Sequence, residues 1–339
     1  MNWAPTVACL VLLLSAAPAL AQTAAFTPDT VDKAAARKEG AVTWYTSTPV
    51  ETAQKIANLF QAETGIKVEL FRSGGSAVLR RFMQEIDARR VIADVLTVSD
   101  PAGVSALIKR DMLVAFRPRN FDKIPAEVKD PKGYHIAQRL NLAGIIARAD
   151  KGLELPRNWT DLTAPKYKGQ MVMPDPSYTA IQLMVVGTLS RKYGWEFYQK
   201  LRANEIMIVQ GHQQVSETLT RGERLIAAEG ADQYAWNDRK AGHKVQTIFP
   251  TDGAFAVAAP TAVIKGSSHP NAAKALAEFM IGDTVQKLFP GEGIYAARSD
   301  VEAPPGNLPL SQIKLLSVDY DYIEKEAKNL KTRFNEIFQ

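Results

Sequence analysis

Three apolar runs, each followed by a helical pattern, lie between residues 41 and 109. Residues 41–46 (AVTWYT), 67–71 (KVELF) and 91–98 (VIADVLTV) read as strands, the first apolar enough for a sheet buried on both faces. After them come helical stripes: Ile56, Leu59 and Phe60; Val78, Phe82 and Ile86, with Leu79 and Met83 beside them; and Val104, Leu107 and Ile108. Alternation this tight predicts an α/β fold with parallel strands, because parallel neighbours need a long crossover, usually a helix. In such sheets ligands sit beyond the carboxyl ends of the strands. Tyr45, Thr46, Ser47 and Thr48 fall at one such end, Arg72 to Ser76 at a second, and Ser99 with Asp100 at a third. One crevice can gather all of them.

The middle unit, 67–90, carries the most pointed signal. Between its strand and its helix stands Arg72-Ser73-Gly74-Gly75-Ser76. Ser73 or Ser76 is suited to cap the helix with its hydroxyl, and the glycines leave backbone N–H groups open to close approach. A helix start with free N–H groups and the positive dipole end can hold an anion. An ordinary capped turn has the same composition, and this stretch alone leaves both readings open.

A second unit of this kind follows later. Residues 170–173 read as a strand, and Pro174-Asp175-Pro176-Ser177-Tyr178-Thr179 opens a helix at 180–190, with Ser177 and Thr179 hydroxyls at its start. Strands are also expected at 140–147, 206–209 and 225–228, residues 254–264 read as a long apolar stretch returning to a core, and helices are expected at 29–38, 215–221, 234–241, 271–281, 284–288 and 320–338. Gly40, Gly65, Gly222 and Gly242 stand where helices should stop. Ser99-Asp100-Pro101 reads as a cap followed by proline in the first turn.

The 339 residues, 46% hydrophobic and 23% charged, allow about two domains. The 41 basic residues are dispersed among 36 acidic ones, which argues against nucleic acid as a partner. Residues 1–21 read as a cleaved signal peptide, with the apolar run VACLVLLL and the cleavage pattern Ala19-Leu20-Ala21. No later run approaches the ~18 apolar residues of a membrane span, so stable membrane insertion is not expected. The single cysteine, Cys9, lies inside that segment, which removes thiol nucleophiles and thiolate metal sites from the exported chain.

Several chemistries lack their residues. No G-x-S-x-G, H-E-x-x-H or phosphate-loop pattern occurs, and the four histidines are far apart in sequence. Neither Asp94 with Asp100 nor Glu229 with Asp232 makes a persuasive acid/base pair. No catalytic residue, resident metal or cofactor is assigned, and an enzyme is not expected. What remains suits holding: hydroxyls and amides at helix starts, the guanidinium groups of Arg72, Arg80, Arg139 and Arg148, and Tyr45, Tyr178, Tyr234 and Trp236 as possible walls.

The ordered set AVTWYTSTPVETAQKIANLFQAETGIKVELFRSGGSAVLRRFMQEI, ADVLTVSDPAGVSALIKRDMLVAF, NWTDLTAPKYKGQMVMPDPSYTA, GERLIAA and IFPTDGAFAVAAPTAVIKGSSHPNAAKALAEFMI resembles the extracellular solute-binding proteins of ABC importers. The closest branch holds binders of ferric iron, thiamine and phosphorylated solutes. The resemblance implies the two-lobed type II periplasmic fold, each lobe a mainly parallel sheet wrapped by helices, with a ligand cleft between lobes. It implies ligand contacts at Tyr45–Thr48, Ser73–Ser76 and Asp175–Thr179, near Ser99 and Asp100, and at His212 and Gln213 with Gln210 beside them. Iron-binding members tend to carry a histidine, often followed by tyrosine, soon after the first strand's tyrosine, where this chain has Pro49 and Val50. They also carry a tyrosine pair where it offers Tyr234 alone. A hard trivalent cation needs several anionic oxygens, so the retained turns favour an organic or phosphorylated anion.

The expected division is lobe 1 at 22–139 plus 254–290, lobe 2 at 140–253, and a C-terminal helical segment at 291–339 packing on both. The expected protein is a periplasmic monomer whose partners are a small anionic solute and an ABC permease of the inner membrane. Ferric iron held through Tyr45 and Tyr234 with an accompanying anion is the alternative cargo. A secreted hydrolase and a sensor that presents its ligand to a membrane receptor are the alternatives of other kinds.

Overall fold

The alternating runs near the start of the chain do form a parallel sheet, and antiparallel strands carry it on into a second one. The structure, a computed structural model, describes Met1 and residues 26–339. Apart from Met1, the expected signal segment and its Cys9 lie outside the described residues. The strands are β1 Ala41–Thr46, β2 Lys67–Arg72, β3 Val95–Thr97, β4 Leu113–Val114, β5 Ile136–Arg148, β6 Met171–Pro174, β7 Met207–Val209, β8 Ile226–Ala231, β9 Val245–Ile248, β10 Phe255–Ile264 and β11 Tyr295–Ala296. Their order is β2-β1-β3-β10-β5-β8-β6-β7, with β4 on β10 and with β9 and β11 on β5.

β1 runs parallel to β2 and β3, and β6 runs parallel to β7 and β8. β5 and β10, antiparallel to each other, join the two parallel groups. Each group has its own core. Trp44, Ile56, Phe60 and Leu276 pack on one side of the first, and Tyr45, Val78, Phe82 and Leu107 on the other. Trp159, Met171, Met184, Phe197 and Ile226 fill the second. These are the two lobes. The first half of β5 pairs with β10 and the second half with β8 and β9, so the chain passes between lobes inside a strand.

Helix boundaries follow their caps. Gly40 and Gly65 end their helices at φ of 73° and 77°, in the left-handed region where glycine carries no steric penalty. Asp100 accepts the Gly103 N–H, with Pro101 in the first turn, as the sequence indicates. The terminal helix Tyr320–Phe338 packs Ile323, Leu330 and Phe334 into the second core. Between residue 291 and that helix the chain is not mainly helical; it supplies β11 and a short 3-10 turn instead. Among the described residues no helix is long and apolar enough to cross a membrane.

Candidate functional site

Three helices begin at one cavity. They are Gly75–Asp87, Ala180–Tyr193 and His212–Arg221, with Gly74, Thr179 and Gly211 at their N-caps. None of the three has a side-chain hydrogen bond at its cap, so protein side chains do not occupy the first-turn amides. The cavity, about 230 Å³, is lined by Ser47, Arg72, Gly74, Gly75, Ser99 and Asn141, and opposite them by Tyr178, Thr179, Ala180, Gly211, His212, Gln213 and Tyr234. A Cβ placed on Gly75 would lie 3.2 Å from the Ala180 Cβ, so two helix starts meet almost head on. Positive dipole ends brought together repel, and an anion between them relieves that repulsion.

Behind this wall lies Arg139, 1% exposed. It donates to Thr48 Oγ1 at 2.8 Å, Ser99 Oγ at 3.3 Å and Asn141 Oδ1 at 3.3 Å, all uncharged acceptors. Burial pulls its pKa down to about 9, with Tyr234 opposing and Arg72 adding to the fall. The guanidinium therefore stays charged at neutral pH. Arg72 binds the Thr48 carbonyl at 3.1 Å, and among the described residues neither arginine has a carboxylate within ion-pair distance. Burial raises the Tyr234 phenol, against the pull of Arg72. On the opposite wall His212 Nε2 meets both oxygens of buried Glu229, at 2.9 and 3.0 Å. This fixes the imidazole, which stacks near Tyr234 with ring centroids 6.3 Å apart.

A sequence profile of the bacterial extracellular solute-binding proteins matches residues 91–326. The chain belongs to that family. Among solved structures, this binding protein is similar to the periplasmic binding protein P5PA, at TM-score 0.80 and 19% identity over 88% of this chain and 100% of that one. It is equally similar to AfuA from Actinobacillus pleuropneumoniae, solved with exogenous fructose-6-phosphate bound, at TM-score 0.80 and 21% identity over 88% and 98%. Iron-bound HitA from Pseudomonas aeruginosa follows at TM-score 0.75 and 20% identity over 87% and 99%. The shared property is the two-lobed fold.

Of the residues singled out in the binding protein's sequence, Ser47, Arg72, Gly74, Gly75, Ser99, Tyr178, Thr179, His212, Gln213 and Tyr234 come together around the cavity. Others are engaged elsewhere. Tyr45 points under the Gly75 helix, its hydroxyl 2.6 Å from Glu85 and 3.1 Å from Arg81, and burial raises its pKa to about 12. Thr46 and Thr48 are buried and joined hydroxyl to hydroxyl at 2.8 Å, with Thr48 acting behind the wall as the acceptor for Arg139. Ser73 is held by its backbone N–H to the Thr46 carbonyl, and it does not cap the helix. Ser76 does not cap it either; its hydroxyl reaches the Pro176 carbonyl at 3.4 Å on the facing wall. Asp100 is spent on Gly103, and Asp175 on the Ser177 N–H at 2.6 Å. The Ser177 carbonyl takes a hydrogen bond from Arg80 at 3.3 Å. Arg148 is paired with Asp150, and Trp236 donates to Pro305. Neither lines the cavity.

The structure adds Asn141, Gly211, Gln214, Glu217 and Gln233 to the lining and Glu229 behind it. Asn141 had a signal: two residues after Arg139 on a strand, it shares that residue's face. The His212 helix starts one turn before the expected 215, because its cap is a glycine and its first apolar contact is Val215.

Proposed function

We propose that the chain is the periplasmic capture component of an ABC importer, which closes two lobes on a small phosphorylated or carboxylated organic anion and presents it to an inner-membrane permease. The observation that carries this reading is Arg139, a buried cation with hydrogen bonds only to neutral groups beside the wall of a cavity where three helix starts converge. A buried charge without a counter-charge is costly, and an anionic solute supplies the missing one. The lobe division at 139/140 and 253/254, with residues 291–339 packing on both lobes, belongs to this proposal. β5 and β10 would then serve as hinges. Export through a signal peptide at 1–21 and a monomeric state complete it.

Ferric iron is the competing cargo, now through Tyr178 and Tyr234, since both phenols line the cavity and Tyr45 does not. Two guanidinium groups beside the site oppose a bare cation and accept an anion. Native mass spectrometry of protein purified from its own periplasm, followed by calorimetry with the co-purified compound, tests the proposal. An anionic organic adduct that binds again with the stoichiometry of the cavity supports it. A protein that instead turns coloured with ferric ion, and releases no organic anion, overturns it.

A further inference from the structure

Gly74 and Gly211 hold N-cap positions, where serine, threonine, aspartate or asparagine would satisfy a free amide. Neither is required by the backbone. Gly74 sits at φ −65°, ψ 152° and Gly211 at φ −159°, ψ −179°, conformations open to any residue. The requirement comes from space, and the same residue sets it at both places, by its ring and carbonyl at Gly74 and by its ring at Gly211. A Cβ on Gly74 would lie 2.6 Å from Tyr178 Cδ1 and Cε1 and would also collide with the Tyr178 carbonyl oxygen. On Gly211 it would lie 2.9 Å from Tyr178 Cε1 and 3.0 Å from Cδ1. The Tyr178 ring is thus seated in a slot between two helix caps. Gly211 starts a helix of the ring's own wall, and Gly74 starts the helix of the facing wall.

We infer that Tyr178 is the positioning residue of closure: its ring fits the slot only when the two walls meet, and that fit sets how near the Gly75 and Ala180 helix starts come and how large the enclosed cavity is. The inference rests on the closing-lobe part of the proposed function. Small caps at both glycines are the cost in helix stability of admitting the ring. A larger residue at either place holds the lobes apart or displaces the ring into the cavity.

The test needs no solute. Gly75→Cys with Ala180→Cys places two thiols on facing walls at a Cβ separation of 3.2 Å, a few tenths of an ångström short of a disulfide's, so the bond forms with a slight easing of the walls, and the sole natural cysteine lies in the expected signal segment. The rate of oxidative cross-linking then reports how often the walls meet. In the Gly74→Ala background the rate should fall by on the order of tenfold or more, the scale of an overpacked contact, with only a small drop in the thermal midpoint from the poorer alanine cap. Gly211→Ala should slow it too, and adding Tyr178→Ala should restore the rate there. Tyr178→Ala should not restore it beside Gly74→Ala, because the carbonyl clash persists. Cross-linking at the parent rate in both alanine variants overturns the inference, and so does a parent that never cross-links. Anion binding is measured separately, so loss of cross-linking in a protein that binds no anion would sink the proposed cargo and leave the slot standing.

Discussion

Arg139 Nη1 donates to Thr48 Oγ1 at 2.8 Å while Nη2 reaches Ser99 Oγ at 3.3 Å, and the second acceptor belongs to the cavity wall. The charge is thus transmitted to the cavity through hydroxyls as well as through space. Thr48 and Ser99 come from the loops after β1 and β3, so one guanidinium ties two strand ends to β5. This arrangement keeps a positive charge beside the cavity without exposing it to competing water.

Replacing Arg139 by methionine keeps volume and removes the charge. Removing one partner of a buried hydrogen-bonded charge pair costs about 2–5 kcal/mol, so anion affinity should fall by roughly thirtyfold to several thousandfold. Folding stability should hold or rise, since an unpaired buried charge is replaced by an apolar side chain. Calorimetry and urea denaturation on the same samples read the two quantities. Equal losses in both would make Arg139 a structural residue and no more.

His212 and Glu229 form the other fixed polar unit of the cavity, with side chains only 9% and 2% exposed. His212→Ala leaves the carboxylate buried without its partner, and the expected loss is about 2–4 kcal/mol of folding stability. Adding Glu229→Gln to that variant should recover a good part of it, because a neutral amide tolerates burial better than an unpaired carboxylate. A double-mutant cycle by denaturant unfolding measures the coupling. Additive losses would deny that the pair acts as a unit.

The strand–turn–helix units were legible because period and punctuation agree there: Gly65 ends one helix, Asp100 and Pro101 open another, and the terminal helix follows its apolar stripe from Ile323 to Phe334. Side-chain direction was less legible. β1 buries Trp44, Tyr45 and Thr46 in succession, and a run covered on both faces carries no alternation to show that Tyr45 turns away from the cavity. The SGGS turn signalled a helix start but not which residue caps it, since the partner that excludes a side chain at Gly74 is Tyr178, far along the chain. The His212 helix start had no capping side chain to announce it.

Because Tyr45 hydrogen-bonds Glu85 and Arg81 beneath the Gly75 helix, Tyr45→Phe should cost about 0.5–1.5 kcal/mol of stability and leave solute affinity unchanged. If ferric ion gives any visible tyrosinate band, that band should survive Tyr45→Phe. Its loss in that variant would return Tyr45 to the binding site.

Acid should loosen the joint between the segment after β11 and the Asp283–Leu288 helix in a defined window. Arg298, 3% exposed, donates to Asp283 Oδ1 and Asp300 Oδ2 at 2.6 Å each. The guanidinium holds the Asp300 carboxyl far below the usual carboxylate range. Asp283 is held down to about 2, by Lys287 first and by Arg298 after it. A carboxylate whose pKa falls on folding stabilises the fold fully above its unfolded value near 4, and loses that contribution as pH drops through the folded value. Wild-type stability should therefore decline between about pH 4 and pH 2. Arg298→Gln should be less stable above pH 5 by a margin that narrows steadily on acidification, as read by urea midpoints across the series. A margin that stays constant from pH 6 to pH 2 would mean that Arg298 contributes packing and its bond to the Ile281 carbonyl, with the ion pairs adding nothing.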